Sequence, residues 1–245
     1  MARLSVNINK IALLRNSRGI DVPNLIQMVQ LIIDAGVTSL TVHPRADARH
    51  ITFQDVYDLS MLPLIKSGTV EFNIEADLRA EAVELVKAVK PTQYTIVPTD
   101  SGELTSTRGW RDYDDQLRLN KVVCELRSLC RLSLFCDPDV VAVERLKDKG
   151  VHALEINTRL YAESWLEGKP RLLLEAIAVA AQVARASGLR LNGGHDLTTD
   201  NLPMLLARVD FDELSIGHHL TSQALLGGLV PTVQEYLRIV EGKKI

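Results

Sequence analysis

A single (β/α)8 TIM barrel is the fold class this chain predicts, and two observations carry that prediction. Eight short runs rich in Val, Ile, Leu and Thr recur along 245 residues, and helical patterns fill the gaps between them. No linker, composition break or low-complexity stretch interrupts the alternation, so one domain spans 1–245. Strands alternating with helices imply parallel pairing through right-handed crossovers. Eight units of about thirty residues favour a closed barrel over an open sheet. No G-x-G-x-x-G follows the first strand, which counts against a dinucleotide fold.

The strand candidates are 4–8, 39–43, 70–75, 93–98, 131–137, 153–158, 189–194 and 213–217. They read as continuous apolar runs, the pattern of strands covered on both faces. Between them, Leu25, Val29 and Ile32 share one helix face, with Pro23 near its start and Gly36 past its end. Asp137 and Pro138 read as an N-cap and first-turn pair ahead of a Val140, Val143 and Leu146 stripe. Residues 170–187 form a long helix stopped at Gly188. The segment 99–120 is the longest polar insertion and the candidate lid.

Composition narrows the function. A net charge of −3 gives no reason to expect nucleic acid or an anionic membrane as partner. With 46% hydrophobic and 24% charged residues the chain supports a large core. The first residues hold no apolar signal core, and the apolar stretch around 172–184 is too short and mixed to span a bilayer, so a cytoplasmic location is expected. Cys124, Cys130 and Cys136 lack CxxC spacing and read as buried reduced thiols.

Barrel catalysis belongs to the C-terminal strand ends and the loops after them. Strand one ends in Asn7 and Asn9, strand two in His43, strand three in Glu75. Strand six carries Glu155 and Asn157, strand seven leads into His195, and strand eight into Gly217 and His218. Four of the six histidines, His43, His50, His195 and His218, fall at or just beyond those ends. His43 could instead be a satisfied core histidine, and Glu75 a structural partner for an arginine. A carboxylate in an apolar strand is costly unless paired, so a general base of raised pKa is the sharper reading of Glu75. Glu155 divides evenly between a buried ion-pair partner and a catalytic group. His195 follows Gly193 and Gly194, where the backbone can approach a ligand closely. His152 precedes strand six on the opposite rim and reads as structural. Arg15, Arg18, Arg45 and Arg49 sit in two loops of one rim and suggest anionic ligands held by guanidinium forks. The helix start after Gly217 offers free N–H groups for a phosphate. No H-x-x-x-H or H-E-x-x-H spacing is present, so neither a metal nor another cofactor is expected.

Six ordered segments carry a resemblance: VNINKIALLRNSRG, TVHPRADARHIT, FNIEAD, IVPTDSGELTS, NGGHDLT and ELSIGH. Together they resemble the signature segments of the pyridoxine 5′-phosphate synthase family, with similar spacing from residue 6 to about 218. The resemblance implies a barrel enzyme, a homo-octamer, that joins 1-deoxy-D-xylulose 5-phosphate to 3-amino-2-oxopropyl phosphate. It implies proton transfer by His43, Glu75 and His195, with Glu155 stabilising charged intermediates. Arg45, His50 and Thr105 match contacts to the deoxyxylulose phosphate. Asn7, Arg18, Gly217 and His218 match contacts to the amino-ketone phosphate. The family pattern has Asp-His where this chain has Asn9 and Lys10, beside the deoxyxylulose phosphate. It has Gly where Asp196 follows His195, next to the expected phosphate site, and His-Thr-Gly where Asn157, Thr158 and Arg159 stand. A branch of the family carries Asn-Lys and His-Asp at the first two places. An Asp196 ion pair with Lys10 or Arg18 would offset the added cation. Two rival readings stay open on the residues alone: a phosphosugar isomerase or Schiff-base aldolase using Lys10, and a homologue that binds without turnover.

Overall fold

The computed structural model describes residues 1–98, 108–111 and 114–242. Its strands are β1 (Arg3–Asn7), β2 (Ser39–Val42), β3 (Glu71–Ala76), β4 (Gln93–Ile96), β5 (Arg131–Cys136), β6 (Ala153–Asn157), β7 (Arg190–Gly194) and β8 (Glu213–Ile216). Each pairs in parallel with the next, and β8 returns to β1, setting Arg3 opposite Glu213 and Val6 opposite Ile216. All eight expected strands are found, with ends moved by one or two residues.

The strands are buried on both faces, as expected, but they are not continuous apolar runs. The first three alternate apolar with polar residues: Leu4 and Val6 between Arg3, Ser5 and Asn7; Leu40 and Val42 between Ser39, Thr41 and His43; Phe72 and Ile74 between Glu71, Asn73 and Glu75. The apolar set packs in one core with helix residues such as Val29, Ile32, Val83 and Val86. The polar set faces the bore, where it bonds from strand to strand. Ser5 Oγ lies 2.8 Å from Thr41 Oγ1, which accepts from Asn73 Nδ2 at 3.1 Å. Thr95 Oγ1 donates to Asn73 Oδ1 at 3.1 Å and lies 3.3 Å from Glu155 Oε2. Gln93 Nε2 reaches Thr95 from below at 3.3 Å, and Asn192 Nδ2 donates to Gln93 Oε1 at 3.1 Å.

Charges close the floor. Glu71 sits between Arg3, at 2.5 Å, and Arg131. Glu213 pairs with Arg3 at 2.8 Å and accepts from Ser39 Oγ at 2.9 Å. His152 lies on this rim as expected, its Nδ1 accepting the Leu132 N–H at 3.0 Å.

The helices begin where local chemistry directs them, with one correction. Asn24 caps Leu25–Asp34 by accepting from Gln27 N at 2.9 Å. The helix after β5 is capped by Asp139, which accepts from Ala142 N at 2.8 Å, and not by Asp137. Asp137 is occupied elsewhere: it accepts the Gly109 N–H at 2.7 Å and pairs with Arg111 at 3.2 Å. The insertion is shorter than 99–120, because a helix starts at Gln116, and most of the candidate lid lies outside the described residues. Cys136 is buried and Cys130 half-buried, but Cys124 is exposed; all three are free. Among the described residues no helix is long and apolar enough to cross a membrane.

The bore makes a stability prediction. Thr41→Val keeps the shape but strands the Asn73 amide and the Ser5 hydroxyl, so urea unfolding is expected to show a loss of about 1–3 kcal/mol. An unchanged midpoint would show that the network contributes nothing to stability.

Candidate active site

The C-terminal mouth holds a cavity of about 270 Å³. It is lined by His43, Glu75, Glu155 and His195, together with Asn7, Asn9, Lys10, Arg45, His50, Asp196, Gly217 and His218. Residues delivered by six separate segments of chain therefore meet in one place. Leu197, Ser215, Ile216 and His219 line it as well and escaped the sequence reading. His219 Nδ1 lies 2.5 Å from the Tyr236 hydroxyl, which fixes its ring.

Two asparagine devices shape the rim. Asn7 Oδ1 accepts the Asn9 N–H at 3.1 Å, and Asn157 Oδ1 accepts the Arg159 N–H at 3.1 Å, each turning a strand end into a helix start. Asn9 Oδ1 in turn accepts the His43 backbone N–H at 2.8 Å and ties β1 to the histidine. Arg79 donates to the Pro44 carbonyl, anchoring the loop that carries Arg45. Two glycines make room. A Cβ on Gly194 would lie 2.9 Å from Glu155 Oε1, and one on Gly217 would lie 2.7 Å from Asn7 O. The helix His218–Gly227 then starts without any side-chain cap, leaving first-turn N–H groups at the cavity.

The acid–base centre is a buried pair. His43 Nδ1 lies 3.2 Å from Glu75 Oε1, each side chain only 9% exposed. Burial alone would raise the Glu75 carboxyl, but the neighbouring His43, with His195 and His50 beyond it, outweighs burial and holds it down at about 2. Glu155 behaves in the opposite way. Burial pushes it up to about 8, and the negative charges of Glu75 and Glu213 add to the effect. The raised carboxyl expected at Glu75 is thus found at Glu155, because Glu75 has an imidazole beside it and Glu155 has a threonine hydroxyl. Burial lowers His195 against the opposing pull of Glu75 and Asp196, and its ring packs 4.9 Å from that of Phe135. Burial and then His43 bring His50 down to about 4. Its Nδ1 accepts the Ile51 N–H at 2.9 Å, so the neutral ring carries its proton on Nε2.

Several expected cations are absent from the cavity. Arg15 is bound to Asp55 at 2.5 and 2.8 Å, and Arg49 to Asp47, so the acids nearby consume them. Arg18 is exposed and does not line the cavity. Among the described residues Asp196 forms no ion pair with Lys10 or Arg18; it is exposed at the rim. Thr105 lies outside the described residues. Among the described residues no three His, Cys, Asp or Glu side chains gather as metal ligands do.

Two carboxyls whose environments drive their acidities apart, facing imidazoles across one barrel mouth, mark a candidate active site of a (β/α)8 enzyme. The chain belongs to the PdxJ family: the family model described as pyridoxal phosphate biosynthesis protein PdxJ matches residues 4–242. It is 43% identical to pyridoxine 5′-phosphate synthase of Xanthomonas campestris pv. campestris (strain B100), over 98% of this chain and 96% of that protein. It is 41% identical to the protein of the same name from Cytophaga hutchinsonii, over 97% and 98%. Among solved structures it is similar in fold to phosphoribosyl anthranilate isomerase of Thermotoga maritima, with a TM-score of 0.63 at 8% identity over 99% of this chain and all of that one.

The Glu155 environment makes a pH prediction. Its pKa is raised on folding, so its contribution is fully present below the ordinary value of 4.5 and is lost as pH climbs towards about 8. Glu155→Gln removes that ionisation. Relative to the parent, its unfolding free energy is expected to gain about 1 kcal/mol per pH unit between those limits. A difference that does not vary with pH in urea unfolding would show that Glu155 ionises normally.

Proposed function

We propose that this enzyme joins 1-deoxy-D-xylulose 5-phosphate to 3-amino-2-oxopropyl phosphate, forming pyridoxine 5′-phosphate with release of phosphate and water. One observation carries the reading. A depressed carboxylate, a raised carboxyl and two imidazoles share a cavity whose rim holds Lys10, Arg45 and an uncapped helix start. Ring formation needs that variety. The amine adds to the ketone, the carbinolamine loses water, protons leave carbon, one substrate expels its phosphate, and closure with loss of a second water precedes aromatisation. Each step moves a proton, and one positioned acid or base typically contributes about 10²–10⁴ in rate.

The ionised Glu75, paired with His43, is the base for protons leaving carbon and nitrogen. His43 relays them, since its Nδ1 faces Glu75. His195 begins as a neutral ring, so it accepts a proton in an early step and returns it as general acid to departing water. Glu155 enters as the protonated acid and stabilises the cationic intermediates when it ionises. Arg45, His50 and Thr105 hold the deoxyxylulose phosphate, with Lys10 as an added point charge; the Nε2 proton of His50 is set to donate. The amino-ketone phosphate rests on Asn7 and the first-turn amides at Gly217 and His218. Arg18, exposed in this chain, joins that set only if its loop moves or a neighbouring chain brings it. The same reading carries a cytoplasmic homo-octamer, and exposed Leu225 and Leu226 suit burial between chains.

The test supplies both substrates and follows pyridoxine 5′-phosphate by mass and absorbance. The parent should form product, and Glu75→Gln should lower kcat by about 10²–10⁴. Binding of either phosphate by the folded parent without product would leave a phosphometabolite-binding protein instead. Full activity in the variant would remove the role given to Glu75.

A further inference from the structure

The backbone after β7 is held in an unusual conformation. Among the described residues, His195 and Asp196 are the one adjacent pair of non-glycine residues with positive φ, at +84° and +55°. Side chains with a Cβ avoid this region, so surrounding contacts must hold such a turn. Both residues line the cavity, and the turn sets where the His195 ring points.

Thr158 is placed to hold it. The residue is fully buried at the end of β6, and its N–H donates to Gly194 O at 2.8 Å. Its hydroxyl lies 2.6 Å from Gly194 O and 2.6 Å from His195 O, sharing one proton between two successive carbonyls. Threonine at this position, immediately before the helix Arg159–Leu166, ordinarily caps that helix. Here the hydroxyl makes no capping bond, and Asn157 Oδ1 takes the first free N–H instead. The hydroxyl is thereby diverted to the turn. The next carbonyl is pinned from the other side, where Asn201 Nδ2 donates to Asp196 O at 3.2 Å.

We propose that Thr158 is a positioning residue for His195: its shared hydrogen bond holds the left-handed His195–Asp196 turn and so aims the imidazole into the cavity. This rests on the acid–base role of His195 given above. Thr158→Val keeps the branched shape and removes the donor; Thr158→Ser keeps the donor. Steady-state kinetics with both substrates should show kcat falling at least tenfold, roughly, in T158V, with either KM changed by less than about threefold. T158S should recover most of the loss. A crystal structure of T158V should show His195 φ leaving the positive range and the ring leaving Phe135. If T158V does not fold, Thr158→Ala takes its place in both measurements. If kcat is unchanged, or falls equally in T158S, the proposal is overturned. If the parent makes no product, the functional reading fails separately. The structure alone then decides: a relaxed φ in the variant supports the latch, and an unmoved turn overturns it.

Discussion

Polar groups enclosed in a barrel must satisfy one another, and that constraint organises this molecule from floor to mouth. At the floor two guanidiniums bracket Glu71, and Glu213 takes what Arg3 has left. In the middle, neutral hydroxyls and amides pass from Ser5 through Thr41 and Asn73 to Thr95. At the top stands Glu155, the last link. The Thr95 hydroxyl has one proton, shared between Asn73 Oδ1 at 3.1 Å and Glu155 Oε2 at 3.3 Å. Its bond to Glu155 favours the ionised carboxylate, but burial, with Glu75 and Glu213 adding to it, outweighs that bond. Glu155 thus keeps its raised pKa against the pull of its own hydrogen bond.

The two mouth carboxyls show how neighbours decide what burial alone cannot. Glu75 and Glu155 are almost equally enclosed, at 7% and 4% exposure, yet their acidities move in opposite directions. Glu75 has an imidazole at 3.2 Å that can carry the opposite charge. Among the described residues Glu155 has no ion-pair partner, and Glu75 and Glu213 press on it. Each ionisation therefore depends on the other: keeping Glu75 charged is part of what keeps Glu155 neutral.

The eight strands and the rim they point to were legible because composition and strand ends are local. What the bore looks like was also written in the sequence, as the alternation Arg-Leu-Ser-Val-Asn and Glu-Phe-Asn-Ile-Glu, but polar bore residues read as interruptions in an apolar run. Partner choice was not legible. Asp55 lies 40 positions from the Arg15 it neutralises, and the bond between Gly109 and Asp137 that displaces the helix cap spans 28. The exchange of roles between Glu75 and Glu155 has the same origin, since strand order sets which side chain each one meets. Thr158 carries no signal in one dimension; its hydroxyl acquires meaning only through carbonyls contributed by the next strand.

The departures from the family pattern can now be weighed together. At position 9 the structure uses a side-chain oxygen to accept the His43 N–H, and asparagine supplies that oxygen as well as aspartate would, without its charge. Lys10 adds a cation on the same side of the cavity. Asp196 returns a negative charge after β7, beside His195, where a φ of +55° suits Gly but is also tolerated by Asp better than by most residues. The three changes leave the anchoring bonds standing and redistribute charge, positive beside β1 and negative beside β7. Asp196 opposes the effect of burial on His195, so the acid gained there favours the protonated ring. The mouth is polarised along one arc of the barrel, with the cation of Lys10 after β1 and the acid that eases protonation of His195 after β7, two strands away. That is a change in electrostatic tuning with the hydrogen-bonded frame intact.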